Sequence, residues 1–196
     1  MLASPFEQAQ VFLPKYLSPE DQRELYSELQ QFPEKLNYYL SRNAFPNNVL
    51  QGDGWRGFVV IDFETSDRKN LSAVVISNSC DIDPANQGDS PRKILFAPIV
   101  GVEPLSRLFV GSEGQITDKV AAVRQQKITT MFYLPELPGV MQESVALLDD
   151  IHQQPLGRFL EGPREKIFTL SQVAFWIFLI KLSIHFTRAN EGARRV

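Results

Sequence analysis

The chain has 196 residues, of which 43% are hydrophobic and 22% charged, a composition typical of a globular protein that buries a core. Its formal net charge of -3 excludes the broad basic surface that usually grips double-stranded DNA, so any nucleic-acid contact must come from a local patch. The single cysteine, Cys80, excludes an internal disulfide, and without clustered Cys and His residues we predict no metal site and no cofactor.

The first fifty residues are predicted to form a helical extension. The opening sequence MLASPFEQAQVF has neither the basic residues nor the long apolar core of a signal peptide, which favours a reducing cytoplasmic location. Ser18 and the proline and acidic residues after it are typical of a helix start, and apolar residues recur at helical spacing up to Phe32. A second short helix is predicted from Pro33, with Tyr39 and Leu40 on its apolar face.

Residues 51–196 are predicted to form a small barrel with helical additions. Segments rich in β-branched and aromatic residues predict strands at residues 55–64, 72–78, 93–100, 128–134 and 144–150. Short strands at this spacing are typical of a small, mostly antiparallel barrel. A helical insert is predicted at about residues 101–127, between the third and fourth strands. The predicted fold class is therefore mainly β with helical additions, that is, α+β.

A strongly apolar helix is predicted at about residues 169–188. Its most apolar part, VAFWIFLIKLSIHF, contains Lys181 and is shorter than the roughly 20 residues that span a bilayer, so we predict a buried helix and no membrane contact. Because this helix is apolar nearly all round, the barrel can cover one side only, and the N-terminal extension or a second subunit must cover the other. We therefore predict a homodimer. Lys181, His185 and Arg188 share one face, which predicts a solvated stripe or a small anion-binding patch.

Four stretches and the apolar terminal helix follow one another in a particular order between residues 57 and 186: GFVVIDFE, SAVVISN, ILFAPIV and ESVALLDDIHQQPLGRF. Their sequences and their order resemble the MazF/PemK family of bacterial toxins. The resemblance implies a small SH3-like barrel, a homodimer and a toxin–antitoxin setting in a bacterium or phage. It also implies an endoribonuclease that cuts single-stranded RNA without a metal ion.

The catalytic positions of that family are not retained. In the family an arginine that stabilises the phosphate precedes the second strand, and a hydroxyl that holds the scissile group follows the third. The aligned residues here are Leu71 and Val100, and neither side chain can donate a hydrogen bond to a phosphate. Arg68 and Lys69 are close in sequence and are candidates to replace the arginine, but a displacement of two or three residues is large for catalysis. We therefore expect weak or absent RNA cleavage.

Two charged positions after the fifth predicted strand also depart from the family. Where the family carries Gln and Arg, this chain carries Asp150 and His152. The carboxylate of Asp150 is expected to repel RNA. His152 is nevertheless a candidate catalytic residue, together with Arg68, Lys69 and Cys80.

The stretch LSAVVISNSCDIDP presents Cys80 where the second strand ends. A nucleophilic thiol needs a base, so a cysteine enzyme predicts His152 or His185 within about 4 Å of the sulfur. The alternative is a small residue tucked beneath the turn, with Asp81 or Asp83 capping that turn and Asp81 lining a pocket at the barrel rim. We predict this second arrangement.

Basic residues indicate where RNA could bind. Arg124 and Lys127 make the helical insert locally basic, and together with Arg68 and Lys69 they predict a contiguous basic groove. An interaction module that binds a peptide or protein partner predicts an exposed apolar groove instead. An enzyme that uses Cys80 is a third hypothesis.

Overall fold

One curved antiparallel sheet organises the fold. The structure, a computed structural model, describes residues 37–40, 45–62, 64–86 and 91–187 and the single positions 18, 20, 23 and 27. The strands of this part of the chain are β1 Gly54–Ile61, β2 Arg68–Val75, β3 Lys93–Gly101, β4 Met131–Leu134, β5 Ser144–Leu147, β6 His152–Pro155 and β7 Glu165–Phe168. The helices are α1 Ser79–Ile82, α2 Val102–Ser106, α3 Glu113–Arg124, α4 Leu156–Glu161 and α5 Gln172–Thr187.

The sheet has the strand order β4-β5-β3-β2-β1-β7, and β6 pairs with β3. The strands β5 and β6 pair in succession with the two ends of β3, so that residues 99–101 contact β5 and residues 93–96 contact β6. Every ladder is antiparallel. No ladder among the described residues joins β4 to β7, so the sheet does not close into the predicted barrel. The broader prediction, an α+β fold built on an antiparallel sheet, is confirmed.

The five predicted strands are all present with shifted ends, and β6 and β7 were not predicted. The predicted insert contains two helices, α2 and α3. The prediction of a second N-terminal helix is wrong at the end that the structure describes, because Tyr39 lies in an antiparallel bridge with Leu170. Of the first predicted helix, the described positions Glu20, Arg23 and Ser27 are helical, and the rest lies outside the described residues.

Hydrophobic clusters cover both faces of the sheet. Ala73 and Val75 point into a cluster built on aromatic rings, which includes Phe58 and Phe159. Val74, between them, points to the opposite face and belongs to the cluster around α5. Alternate side chains of a strand lie on opposite faces, and here both faces are buried. This explains why β2 ends in a run of apolar residues instead of alternating with polar ones.

The helix α5 is buried within its own chain. Eight of its side chains are buried, among them Trp176, Phe178 and Lys181. This burial removes the reason for invoking a second subunit to cover the helix, so the homodimer stays a prediction based on the family resemblance. Within the described part of the chain, no helix combines the length and the apolar character needed to cross a bilayer.

The predicted solvated stripe on α5 is wrong for Lys181, which is only 5% exposed. Its ammonium group donates a hydrogen bond to the backbone carbonyl of Gln126, just after α3. Burial penalises the charged form and lowers the pKa of Lys181 to about 8. His185 is half-buried, and Arg188 lies outside the described residues.

Candidate nucleic-acid groove

A groove of about 800 Å³ lies where the β1–β2 hairpin, β6 and α4 meet. Its size is in the usual range for a ligand-binding cleft. The residues that line it are Gly57, Val59, Val60, Ile61, Arg68, Asn70, His152, Gln153, Gln154, Pro155, Arg158, Gly162 and Pro163. The lining residues come from two separate stretches of the chain, residues 57–70 and 152–163.

A bulge at Gly57 shapes one wall. The β1–β2 register shifts between Arg56 and Phe58, and Gly57 adopts a φ of +102°. A Cβ atom at this position would lie 2.3 Å from the backbone oxygen of Pro163. Glycine is required here, because other residues rarely adopt this φ and none fits so close to a backbone. The bulge lets the segment before β7 approach β1 at the end of the groove.

The opposite wall is fixed by β6 and α4. The backbone N–H of Val59 donates to Oε1 of Gln154 at 3.0 Å, which ties β1 to β6 without a strand ladder. The helix α4 follows β6 directly, and Leu156 and Phe159 anchor it in the core. The Phe159 ring stacks on Phe58 with 4.4 Å between centroids. This anchoring leaves Arg158 exposed on α4, where it lines the groove.

The charged residues in the lining of the groove are two arginines, Arg68 and Arg158. His152 also lines it, and no carboxylate is among its lining residues. Within the described part of the chain, neither arginine side chain forms an ion pair or a hydrogen bond. Two guanidinium groups are thus available to a ligand, and each can contact a phosphate through two parallel hydrogen bonds.

His152 is held from two sides. Its Nε2 lies 2.9 Å from Oδ1 of Asp150, which is 54% exposed at its side chain. The imidazole ring stacks on the buried ring of Phe96, with 5.8 Å between centroids and 24° between planes. Phe96 and His152 are direct partners in the β3–β6 ladder, so the backbone register creates this stack.

Of the site residues predicted from the sequence, the structure places Arg68 and His152 together in the groove. Lys69 is absent from the lining, and its ammonium lies 2.7 Å from Asp62. The hydrogen bond from Lys69 lowers the pKa of the Asp62 carboxyl. Lys127 is exposed on the turn after α3 and does not line the groove either.

Arg124 is engaged elsewhere. Its Nε and one terminal nitrogen donate to the two carboxylate oxygens of Glu143 at 2.6 and 2.8 Å. The hydroxyl of Tyr133 donates to the same carboxylate at 2.7 Å. The bond from Arg124 is the main cause of the lowered pKa of Glu143, and the bond to Glu143 raises the pKa of Arg124. The predicted groove of Arg68, Lys69, Arg124 and Lys127 is therefore not the groove that the structure contains.

Cys80 is exposed, so the prediction that it is tucked beneath the turn is wrong. The short helix α1 buries Ile82 instead, and its cap is Asn78, whose side-chain oxygen accepts from the backbone N–H of Cys80 at 2.9 Å. Asp81 is exposed and lies outside the groove lining. Asp83 does cap the next turn, because its carboxylate accepts from the backbone N–H of Ala85 at 2.8 Å.

The hypothesis of an enzyme that uses Cys80 has no geometric support. Among the described residues, no hydrogen bond joins the Cys80 sulfur to a histidine. No group of three His, Cys, Asp or Glu side chains in that part of the chain could hold a metal ion. The family-aligned residues Leu71 and Val100 are half-buried in β2 and β3 and do not line the groove.

Two important residues of the groove were missed at the level of sequence. Gly57 had a usable signal, because an isolated glycine inside a strand pattern indicates a bulge or a close backbone approach. Arg158 had none, since nothing in QQPLGRF marks it as a neighbour of Arg68, ninety residues earlier. The β1–β6 contact that unites them depends on tertiary structure.

Another cavity, of about 510 Å³, lies between residues 37–40 and 135–138. Its lining includes Tyr39 and Pro135, which are joined by a 2.7 Å hydrogen bond from the tyrosine hydroxyl to the backbone carbonyl. Glu136 is the charged residue in its lining, which makes the cavity a poor site for a polyanion.

A scan against protein-family models finds no match to the chain, and a search of curated proteins finds none.

Proposed function

We propose that the protein binds single-stranded RNA in the groove between the β1–β2 hairpin, β6 and α4. The observation that carries this proposal is the charge of the lining: two arginines with no ion pair or hydrogen bond in the described part of the chain, and no carboxylate. Phosphate contacts supply much of the affinity of a protein for nucleic acid, and they need cations that are free of internal partners.

The rest of the lining suits bases of an unpaired strand. Val59 and Ile61 are 38% and 53% exposed and offer apolar surface to base faces. The side-chain amides of Asn70 and Gln153 carry both donors and acceptors for base edges. Sequence-specific readers of RNA usually bind single strands, because unstacked bases expose these edges. The concave shape and limited volume favour a few nucleotides of an extended strand over a duplex.

The resemblance to MazF/PemK toxins supports the same substrate class, an SH3-like relationship of the sheet and a cytoplasmic homodimer. It does not support their rate of cleavage. The aligned positions carry Leu71 and Val100, and removal of one preorganised electrostatic group typically costs about 100- to 1000-fold in rate. We therefore propose weak or absent cleavage by the family's route.

Fluorescence anisotropy with a labelled single-stranded oligoribonucleotide tests the proposal. We expect the Arg68→Ala/Arg158→Ala variant to bind at least about 30-fold more weakly than the wild type, since each guanidinium contacts phosphate. The matched control is Arg107→Ala/Arg124→Ala, which removes the same charge from the insert and should bind within about 3-fold of the wild type. Circular dichroism checks that both variants are folded.

Three outcomes would contradict the proposal. The first is a wild type that does not bind at tens of micromolar RNA in low salt. The second is a larger loss in the control pair, which would move the site to the insert. The third is an equal loss in both pairs, which would mean that binding follows net charge and no particular groove.

A further inference from the structure

Four aromatic rings form a column that runs from the core to the groove. The ring of Phe159 stacks on Phe58 with 4.4 Å between centroids, and Phe58 stacks on Phe96 with 4.2 Å. Phe96 in turn stacks on the imidazole of His152, with 24° between the planes. The three phenylalanine rings are buried, whereas His152 lines the groove. His152 is therefore the end of the column that a ligand in the groove meets.

The surroundings of His152 leave one face of its ring to the groove. One face lies on Phe96, and the Nε2 edge lies 2.9 Å from Oδ1 of Asp150. The side chain is still 31% exposed. Among the described residues that line the groove, His152 carries the only aromatic ring. The groove thus offers one flat aromatic surface, and the β3–β6 ladder holds it in place by pairing Phe96 with His152.

We infer that His152 is a stacking platform for one nucleobase of the bound strand, which adds a fifth ring to this column. This role rests on the proposed function, because it needs an RNA strand in the groove. Proteins that bind single strands stack bases on aromatic side chains, histidine among them. A ring that is already fixed by its neighbours loses little side-chain freedom when a base packs on it, so the contact is well prepared.

The platform supplies what the two arginines of the groove lack. Arg68 and Arg158 are available for phosphates of the same strand, and phosphate contacts position a backbone without fixing a base. A base held on His152 fixes the register of the strand along the groove. The exposed side chain of Gln153 follows directly on β6 and also lines the groove, where its amide suits the edge of a base.

Substitutions of His152 test the platform from the protein side by fluorescence anisotropy with a short oligoribonucleotide. We expect His152→Ala to bind about 5- to 150-fold more weakly than the wild type, the range for the loss of one base–aromatic stack. His152→Gln has no ring and should lose as much, while His152→Phe keeps a flat ring and should stay within about 3-fold. The control, His185→Ala, replaces the other histidine, on α5, and should not change affinity. Circular dichroism checks that every variant is folded.

Abasic nucleotides test the platform from the RNA side. The oligoribonucleotide is first shortened to the minimum length that keeps its affinity, and each nucleotide is then made abasic in turn. We expect one position at which the missing base weakens wild-type binding by about the same factor as His152→Ala. At this position His152→Ala should cause no further loss, because both changes remove the same contact. A merely structural effect of the substitution would instead weaken the binding of every abasic strand.

Several results would overturn the platform and leave the groove as an RNA site. The first is His152→Ala binding within about 2-fold of the wild type, and the second is His152→Phe binding as weakly as His152→Ala. The third is a salt dependence that becomes shallower by about 0.7 in His152→Ala, since this would mean that His152 contacts a phosphate. The fourth is additive losses at every abasic position. Absence of RNA binding by the wild type would overturn the proposed function as well.

Discussion

The groove and the helical insert are both basic in sequence, but they differ in what their cations do. On the insert, three of the four basic residues have internal partners, all but Lys127: Arg124 is bonded to Glu143, Arg107 lies 2.5 Å from Glu103, and Lys119 lies over the ring of Phe109. In the groove, Arg68 and Arg158 have no such partner in the described part of the chain. Cations with internal partners stabilise the fold, and cations without them are available to a ligand.

This difference explains why local charge was a poor guide to the site. The insert is basic in sequence, but its arginines pair with carboxylates in the folded chain. Arg107 pairs with Glu103 of α2, and Arg124 pairs with Glu143, which immediately precedes β5. The groove is assembled from separate segments, with one arginine at the start of β2 and the other on α4. Each of those segments alone contains too few basic residues to be noticed.

The largest expected effect is at Gly57, in the bulge of β1. We expect Gly57→Ala to lower the free energy of unfolding by about 3 kcal/mol, because alanine is strained at φ +102° and its Cβ would meet the Pro163 oxygen. Chemical denaturation measures this change. If Gly57→Ala has wild-type stability, the bulge does not shape the groove wall.

The fold was predictable from sequence where burial leaves an apolar pattern. The strands β1, β2 and β3 carry β-branched and aromatic runs, and α5 is apolar throughout, so their positions were anticipated. The strand β6 reads HQQP, and its side chains alternate between half-buried and exposed. No hydrophobic signal marks it, because the strand is defined by its ladder with β3 and not by its own side chains.

The site was less predictable than the fold. Arg68 and His152 were singled out by comparison with family positions, and the structure places both in the groove. Cys80 was expected to be buried because a small residue follows an apolar strand, but the helix α1 turns it outward and buries Ile82 instead. The pairing of Arg124 with Glu143 depends on a contact across 19 residues, which no local pattern reveals.

The salt dependence of RNA binding sharpens the comparison of the two regions. For single strands, the logarithm of the binding constant falls by about 0.7 for each phosphate contact as the logarithm of the salt concentration rises by one. We expect the slope to become shallower by about 1.4 in Arg68→Ala/Arg158→Ala, and to stay unchanged in Arg107→Ala/Arg124→Ala. Anisotropy titrations at several salt concentrations give the slopes, and equal slopes in the two pairs would contradict the distinction between paired and unpaired cations.

The buried Lys181, which donates a hydrogen bond to Gln126 at the end of the insert, should make the stability of the protein depend on pH. Its folded pKa, about 8, lies below its unfolded value of 10.5, so the unfolded chain binds more protons between these pH values. Stability therefore rises with pH in that window, by about 2 kcal/mol between pH 8 and 10. Denaturation of the wild type and of Lys181→Met at both pH values measures this change. The methionine variant should lose the rise, and an unchanged rise would assign it to another group.

The smallest expected effect is at Gly114, the counterpart of Gly57 on the insert. This glycine lies in the first turn of α3, and a Cβ there would meet nothing within 4 Å. We expect Gly114→Ala to raise the free energy of unfolding by about 0.5–1 kcal/mol, because alanine favours the helix. Calorimetry measures this change. A decrease in thermal stability would contradict the open surroundings of Gly114 in the first turn of α3.

Photo-crosslinking tests the central claim, that RNA lies in the groove of unpaired cations, most directly. A single-stranded oligoribonucleotide containing 4-thiouridine is bound to the wild type and irradiated, and the crosslinked peptides are identified by mass spectrometry. We predict adducts in the peptides that contain residues 57–70 and 152–163, with their loss in Arg68→Ala/Arg158→Ala. Adducts confined to the insert, residues 102–127, or adducts that persist unchanged in the double variant would contradict the account.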